Sequence, residues 1–289
     1  MIPDPLREHI ETKLGQRITG VQAASGGSIN RAARVELEQQ GPCFLKWNTD
    51  FDPGMFEVEV KGLQLLRSAT TGLQIPEPID HGTLPQSGTG YLLMEGLYKV
   101  PSTSEAESFF GRGLAALHRN TAALHGLDHD NYIGRLPQRN ERHESWSAFF
   151  VEQRMKPMVR MAIDRGRFSS SIINHFQAFY RKLPGLMPEE PASLLHGDLW
   201  GGNHMATGER RMAIYDPAVY YGSREIEIAF THLFGGFPGA FYRAYEESWA
   251  MEPGFKERVP LYNLYPLLTH TNMFGGSYAR QVESIISRF

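Results

Sequence analysis

Residues 194–218 read LLHGDLWGGNHMATGERRMAIYDPA and hold two acids and an amide at close spacing. Asp198 opens an H-G-D-x-x-x-x-N run that ends at Asn203, and the apolar stretch from Met212 to Tyr215 leads to a second acid, Asp216. Phosphoryl transfer needs these residue types. A carboxylate must sit beside the acceptor hydroxyl, and hard oxygen donors must hold Mg²⁺ against nucleotide phosphates. Mg²⁺ keeps several of its waters, so one carboxylate and one amide are a sufficient protein share. Asp198 is therefore the candidate base, and Asn203 with Asp216 the candidate metal ligands. Asp, Asn and Gly also dominate turns. Turn chemistry alone would not explain the further parts found upstream in matching order.

Protein kinases use this same grammar: a catalytic-loop Asp, an Asn five positions on, and a metal-binding Asp after a hairpin. Lys46, in the apolar run Phe44-Leu45-Lys46-Trp47, needs a partner, because an unpaired buried charge is costly. Nucleotide phosphates and a helix glutamate would serve. Glu59 is the first choice for that glutamate and Glu57 the competitor; the apolar stripe Phe56, Val60, Leu63, Leu66 does not separate them. Gly26, Gly27 and Ser28 lie in a turn between two expected strands, where glycine lets backbone N–H groups approach phosphate oxygens. Glu95 and Leu97 mark a hinge between the strand-rich and helical parts.

The surrounding elements follow from periodicity. Helices are expected over residues 4–14 and 55–68, and strands over 18–24, 31–37, 43–47 and 91–94. Pro76 and Pro78 read as a loop. Beyond residue 95 the pattern turns helical, over 104–124, 145–163, 170–183, 224–234, 238–249, 257–272 and 276–288. The expected class is α+β: a bilobal, protein-kinase-like fold. A β-rich N-lobe (1–95) carries one long helix, a mainly helical C-lobe (96–289) follows, and the site lies in the cleft between them.

The 289-residue chain carries a net charge of −3 and 41% hydrophobic residues, with a pI near 6.4. That balance speaks against nucleic-acid or membrane partners. The lone Cys43 excludes an intrachain disulfide and a cysteine-based zinc site, and reads as a buried thiol. The opening residues lack a signal-peptide core, and no apolar run reaches 18 residues, so a cytoplasmic location is expected. The histidines show no zinc-enzyme spacing. His196 is expected to bond backbone near Asp216, and His118 to be a packing histidine.

Two stretches could meet an acceptor. DHDNYIGRLPQRN (128–140) is a polar loop suited either to solvent or to a polyol, with Asp130 and Asn131 as candidates. PAVYYGSRE (217–225) offers Tyr220 and Arg224, for acceptor binding or lobe anchoring, and Trp200 could pack on a sugar face.

HGDLWGGN (196–203), DPAVYYGSRE (216–225), LFGGF (233–237), DHDNYIG, PQRN, GGSIN (26–30), MFEVEVKGL (55–63) and LAALH (114–118) together resemble the fructosamine kinase (ketosamine 3-kinase) family, relatives of aminoglycoside and choline kinases. The resemblance covers about residues 20–280. It implies ATP- and Mg²⁺-dependent phosphorylation of a ketosamine 3-hydroxyl, on a small molecule or a glycated protein side chain, and so a role in deglycation. On that likeness Asp198 is the base, Asn203 and Asp216 ligate Mg²⁺, Lys46 binds phosphates, Glu59 orients it, and the backbone at Glu95 to Leu97 holds the adenine of ATP. Ser223 departs from the histidine expected in many members and leaves acceptor preference open. The alternatives are a kinase for an aminoglycoside, choline or another amino sugar, or a nucleotide-binding pseudokinase. A complete set of Lys46, Asp198, Asn203 and Asp216 argues against the last. The absence of an A-P-E segment after Asp216 argues against a protein kinase. Oligomeric state is not legible.

Overall fold

The computed structural model describes residues 2–24, 30–50, 52, 54–69 and 71–289. Gly26, Gly27 and Ser28, the expected phosphate loop, lie outside the described residues. The N-terminal part is sheet-rich. Helix α1 (Asp4–Leu14) precedes β1 (Ile18–Ala23), β2 (Arg31–Leu37) and β3 (Gly41–Asn48); α2 (Gly54–Ser68) then leads to β4 (Pro78–Thr83) and β5 (Gly90–Glu95). These strands form one antiparallel sheet in the order β1-β2-β3-β5-β4.

Alternation along β3 explains its two-sided burial. Leu45 faces the core that α1 closes with Leu6 and Ile10. Phe44 and Lys46 face the other way, beside Leu92 and Met94 of β5 and the apolar stripe of α2.

The C-terminal part is mainly helical. It comprises α3 (Ser104–His118), β6 (Thr121–Ala122), β7 (Asn131–Ile133), β8 (Leu136–Gln138), α4 (Trp146–Phe149), a π-helical turn (Phe150–Met155), α5 (Lys156–Asp164) and α6 (Ile172–Leu186). Next come β9 (Ala192–Leu195), β10 (His204–Gly208), β11 (Arg211–Ile214) and β12 (Tyr220–Gly222). The chain closes with α7 (Arg224–Thr231), α8 (Gly239–Ser248), α9 (Phe255–Tyr262), α10 (Leu264–Phe274) and α11 (Ser277–Ile286). The sheet-rich N-terminal part and helical C-terminal part are those of a protein-kinase-like fold. The two parts share a core. Phe56, Leu63 and Leu66 of α2 pack with Phe110 and Leu114 of α3 and with Leu199, Met212 and Ile214 of the 194–218 segment.

Four expectations need correction. Pro78 begins an edge strand, a position where its missing N–H costs no ladder bond. The helix expected over 104–124 stops at His118, because the Asn120 side chain donates to the Ala116 and Leu117 carbonyls, each at 3.0 Å. Thr121 then pairs with Ser193 of β9. The polar loop 128–140 contains the β7–β8 hairpin, turned at Gly134 with φ +59°. The helix expected over 257–272 is two, α9 and α10, since Pro266 offers no N–H to the Tyr262 carbonyl.

Candidate active site

Lys46, Glu59 and Asp216 come from β3, α2 and the segment after β11, and they meet in one cluster. Lys46 Nζ lies 2.7 Å from Glu59 Oε1 and also bonds Asp216 Oδ1. Of the two helix glutamates, Glu59 pairs with Lys46; Glu57 faces outward and pairs with Lys61 at 2.8 Å. Burial alone would lower the Lys46 pKa, but the Asp216 and Glu59 carboxylates outweigh it and hold the ammonium charged. Asp216 sits at φ +58°, in the left-handed region that aspartate tolerates better than most residues.

Asp198 lies on the turn after β9. Gly197 precedes it at φ +83°, where a Cβ would come 2.0 Å from the Ala218 carbonyl oxygen. Only glycine fits this crossing of backbones. Asn203 Nδ2 donates to the Asp198 carbonyl at 2.8 Å and to its Oδ2 at 3.0 Å, which fixes the carboxylate. Burial and the nearby Asp216 charge hold the Asp198 carboxyl well above the ordinary carboxylate range. The repulsion of the Asp216 charge on the Asp198 carboxylate is what a divalent cation would relieve. Asp216 and the Asn203 side-chain oxygen supply the hard donors Mg²⁺ selects. Among the described residues no cluster of three His, Cys, Asp or Glu side chains could hold a metal by protein ligands alone. A site completed by phosphates and water fits that arrangement.

His196 is neutral and structural. Its Nε2–H donates to the Tyr215 carbonyl at 2.9 Å, and Nδ1 accepts the Asp198 N–H at 3.3 Å. Burial holds its pKa below the usual value. His118 likewise bonds Tyr245 and Glu227, at 2.8 and 2.9 Å. Glu227 went unnoticed in the sequence. From α7 it accepts the Gly197 N–H at 2.7 Å and the His196 N–H at 3.2 Å, so one buried carboxylate grips the backbone just before Asp198. Glu225 and Glu227 alternate with Ile226 and Ile228, and that pattern does not say which acid faces inward.

The acceptor candidates divide. Trp200 is 38% exposed beside Asp198, its indole laid over Gly202, where a Cβ would approach it to 2.3 Å. Tyr220 lines a slot of about 20 Å³ next to Asp198, together with Ile133, Tyr265 and Thr269. Asn131 does not reach an acceptor: buried, it donates to the Val219 carbonyl at 2.8 Å and accepts from Gln138 and Asn140. Arg224 is fully buried and its donors go to Glu190, Trp249 and Ala250, so it anchors α7 to the segment after α8. Asp130 caps the hairpin by accepting the Asn140 N–H at 2.8 Å. Ser223 is buried as the cap of α7, its hydroxyl accepting the Glu225 N–H. At the hinge, the Glu95 and Gly96 N–H groups are taken by the Glu77 and Pro42 carbonyls; the Leu97 N–H has no partner among the described residues.

The family model for fructosamine kinase matches residues 4–289. A probable ketoamine kinase of Synechocystis is 38% identical over 98% of this chain and 95% of its own length. The chloroplastic protein-ribulosamine 3-kinase of Arabidopsis thaliana is 34% identical, covering 100% and 88%. Among solved structures, a candidate fructosamine-3-kinase of Thermobifida fusca superposes with a TM-score of 0.87 at 31% identity, over 98% of this chain and 97% of that one. An aminoglycoside phosphotransferase shares the fold, with a TM-score of 0.62 at 15% identity, over 98% of each chain.

Proposed function

The chain belongs to the fructosamine kinase family, and from that premise we propose that it transfers the γ-phosphoryl group of ATP to the 3-hydroxyl of a ketosamine. It is a phosphotransferase acting on a hydroxyl, and its family uses ATP. The observation that carries the finer reading is the meeting of Lys46, Asp198, Asn203 and Asp216 in one cleft.

In this reading residues 1–95 and 96–289 are two lobes, and the nucleotide lies between them with its adenine against the Glu95–Leu97 backbone. Lys46, kept charged by its carboxylates, binds phosphate oxygens, and Glu59 holds it in place. Asp198, oriented by Asn203, accepts the acceptor hydroxyl proton. Asn203 and Asp216 would hold Mg²⁺, which would supply positive charge to neutralise the nucleotide phosphates. The protein's share is positioning and charge compensation. Trp200 and Tyr220 remain the acceptor contacts. A phosphate at C3 is a far better leaving group than hydroxide, so the 1,2-enaminol of the product expels phosphate; water then hydrolyses the resulting C1 imine and frees the amine, which makes the reaction one of deglycation. Among the described residues no helix is long and apolar enough to cross a membrane.

The test is ATP-dependent turnover of a fructosyl-amine, followed by ADP release and by phosphorus NMR of the sugar product. A 3-phosphate signal is expected. Asp198→Asn should lower kcat by about 10²–10⁴-fold, the range for removing a general base, with Tm retained. Phosphate at another carbon, or normal turnover by the variant, refutes the assignment.

A further inference from the structure

The LFGGF stretch, residues 233–237, has no part in the chemistry above, yet its backbone is held under strain. Phe234 sits at φ +58°, followed by Gly235 at +107° and Gly236 at +75°. A left-handed conformation is a genuine outlier for a bulky aromatic residue, and it persists only where the surroundings enforce it. Here both ends of the loop are tied. The Tyr242 hydroxyl donates to the Thr231 carbonyl at 3.1 Å and accepts the Phe237 N–H at 3.0 Å.

The strain leaves the Phe234 ring 44% exposed, against two residues that line the slot beside Asp198. Its centroid is 4.7 Å from His270 and 6.2 Å from Phe230. Phe274, 52% exposed, and Tyr278 complete the group, lying 5.7 and 5.0 Å from His270. The slot itself holds about 20 Å³, room for a water rather than a sugar. An acceptor whose hydroxyl reaches Asp198 must therefore lie across the mouth, and what extends past His270 meets aromatic faces. Exposed aromatic rings grouped at a pocket mouth mark a binding surface more than a solubility feature.

We propose that Phe234, Phe274 and Tyr278 form a subsite for the amine substituent of the acceptor, and that it selects ketosamines whose amine carries an aromatic or bulky apolar body. This rests on the ketosamine reading above. The rim adds ring-face burial without new charge, so its return appears as affinity and not as a faster chemical step.

The experiment compares the fructose adducts of glycine and phenylalanine, which share sugar and carboxylate and differ in the side chain. For the unaltered enzyme kcat/KM should favour the phenylalanine adduct by on the order of tenfold, the return for burying one ring face. Phe234→Gly suits the left-handed backbone and should fold; it is expected to compress that ratio to within about twofold, through KM for the phenylalanine adduct. Phe274→Ser should do the same. Ile173→Ser, an exposed apolar residue on α6, should leave the ratio intact. Calorimetric binding of the phenylalanine adduct without nucleotide is measured in parallel. Equal kcat/KM for both adducts, or an equal loss on both in Phe234→Gly, overturns the subsite. If neither adduct turns over but binding still depends on Phe234, the kinase reading falls and the subsite stands. If binding too is indifferent to Phe234, the subsite falls.

Discussion

The proposed nucleotide and acceptor ends of the cleft are built from different materials. At the nucleotide end, charge does the building: Lys46, Glu59 and Asp216 converge from three segments, and their mutual attraction keeps a buried ammonium protonated. At the acceptor end, beyond Asp198, packing does it. Tyr220 lies under the Arg154 guanidinium at 4.0 Å, Tyr265 lies 5.4 Å from the same group, and Gln138 accepts the Tyr265 hydroxyl at 2.7 Å. Arg154 is fully buried and has no carboxylate partner among the described residues; Asn140 and the Arg139 carbonyl accept its hydrogen bonds instead. A charged end tolerates few residue types and reads alike in any phosphoryl-transfer enzyme of this fold. An end made of ring faces and amides can be reshaped without touching the chemistry, so selectivity belongs there.

The difference can be broken by substitution. Lys46→Met leaves Glu59 and Asp216 facing each other without a cation, and should cost about a hundredfold or more in kcat/KM for ATP. The acceptor KM should hold within about threefold. Steady-state kinetics with each substrate varied in turn checks this; an equal rise in both KM values would mean that the ends are not separable. Glu227→Gln tests the joint between them. An amide NH₂ placed against the Gly197 or His196 N–H leaves donors facing donors, so kcat should fall roughly ten- to a hundredfold, with both KM values little changed. Arg154→Met sharpens the acceptor side: acceptor KM should rise about three- to tenfold while KM for ATP stays, and Arg154→Lys should not restore it, because an ammonium lacks the planar face that stacks on Tyr220. A KM for ATP that moves with the acceptor KM would count against the division.

The smallest effect is on stability against pH. His125 is buried, its Nδ1 has no hydrogen-bond partner among the described residues, and burial pushes its pKa down to about 4. The unfolded chain takes up that proton near pH 6.5, while the folded chain resists it. Stability is therefore full above about pH 6.5 and declines as pH falls toward 4. His196, His204, His232 and His270 are also held low by burial and act in the same direction. Thermal melts from pH 8 to 4 should show Tm falling below about 6.5, with a shallower fall in His125→Gln. An unchanged slope would show that His125 is not held neutral.

Much of the plan was legible because it rests on local rules. Period-four apolar residues marked α1 and α2, and the apolar run around Lys46 marked β3. The spacing from Asp198 to Asn203 survives as a direct hydrogen bond. The choice between Glu57 and Glu59 was not legible, since neighbouring positions on one turn differ only in which way the finished helix is rolled. The role of Asn131, and the choice between acceptor binding and anchoring for Arg224, were not legible for a related reason. Polar residues in a loop look like binding groups until burial shows that their donors are spent on Val219, Glu190, Trp249 and Ala250.

The sequence by itself determined the reaction type, because phosphoryl transfer demands particular donors at short, nearly fixed spacings along one segment. Tertiary structure alone decided which acid steadies the catalytic turn, which polar residues are interior struts, and which rings stand at the acceptor mouth. Those depend on contacts between residues 30 to 140 positions apart, as in Glu227 with Gly197 and Tyr265 with Gln138, and no local periodicity encodes a partner at that distance.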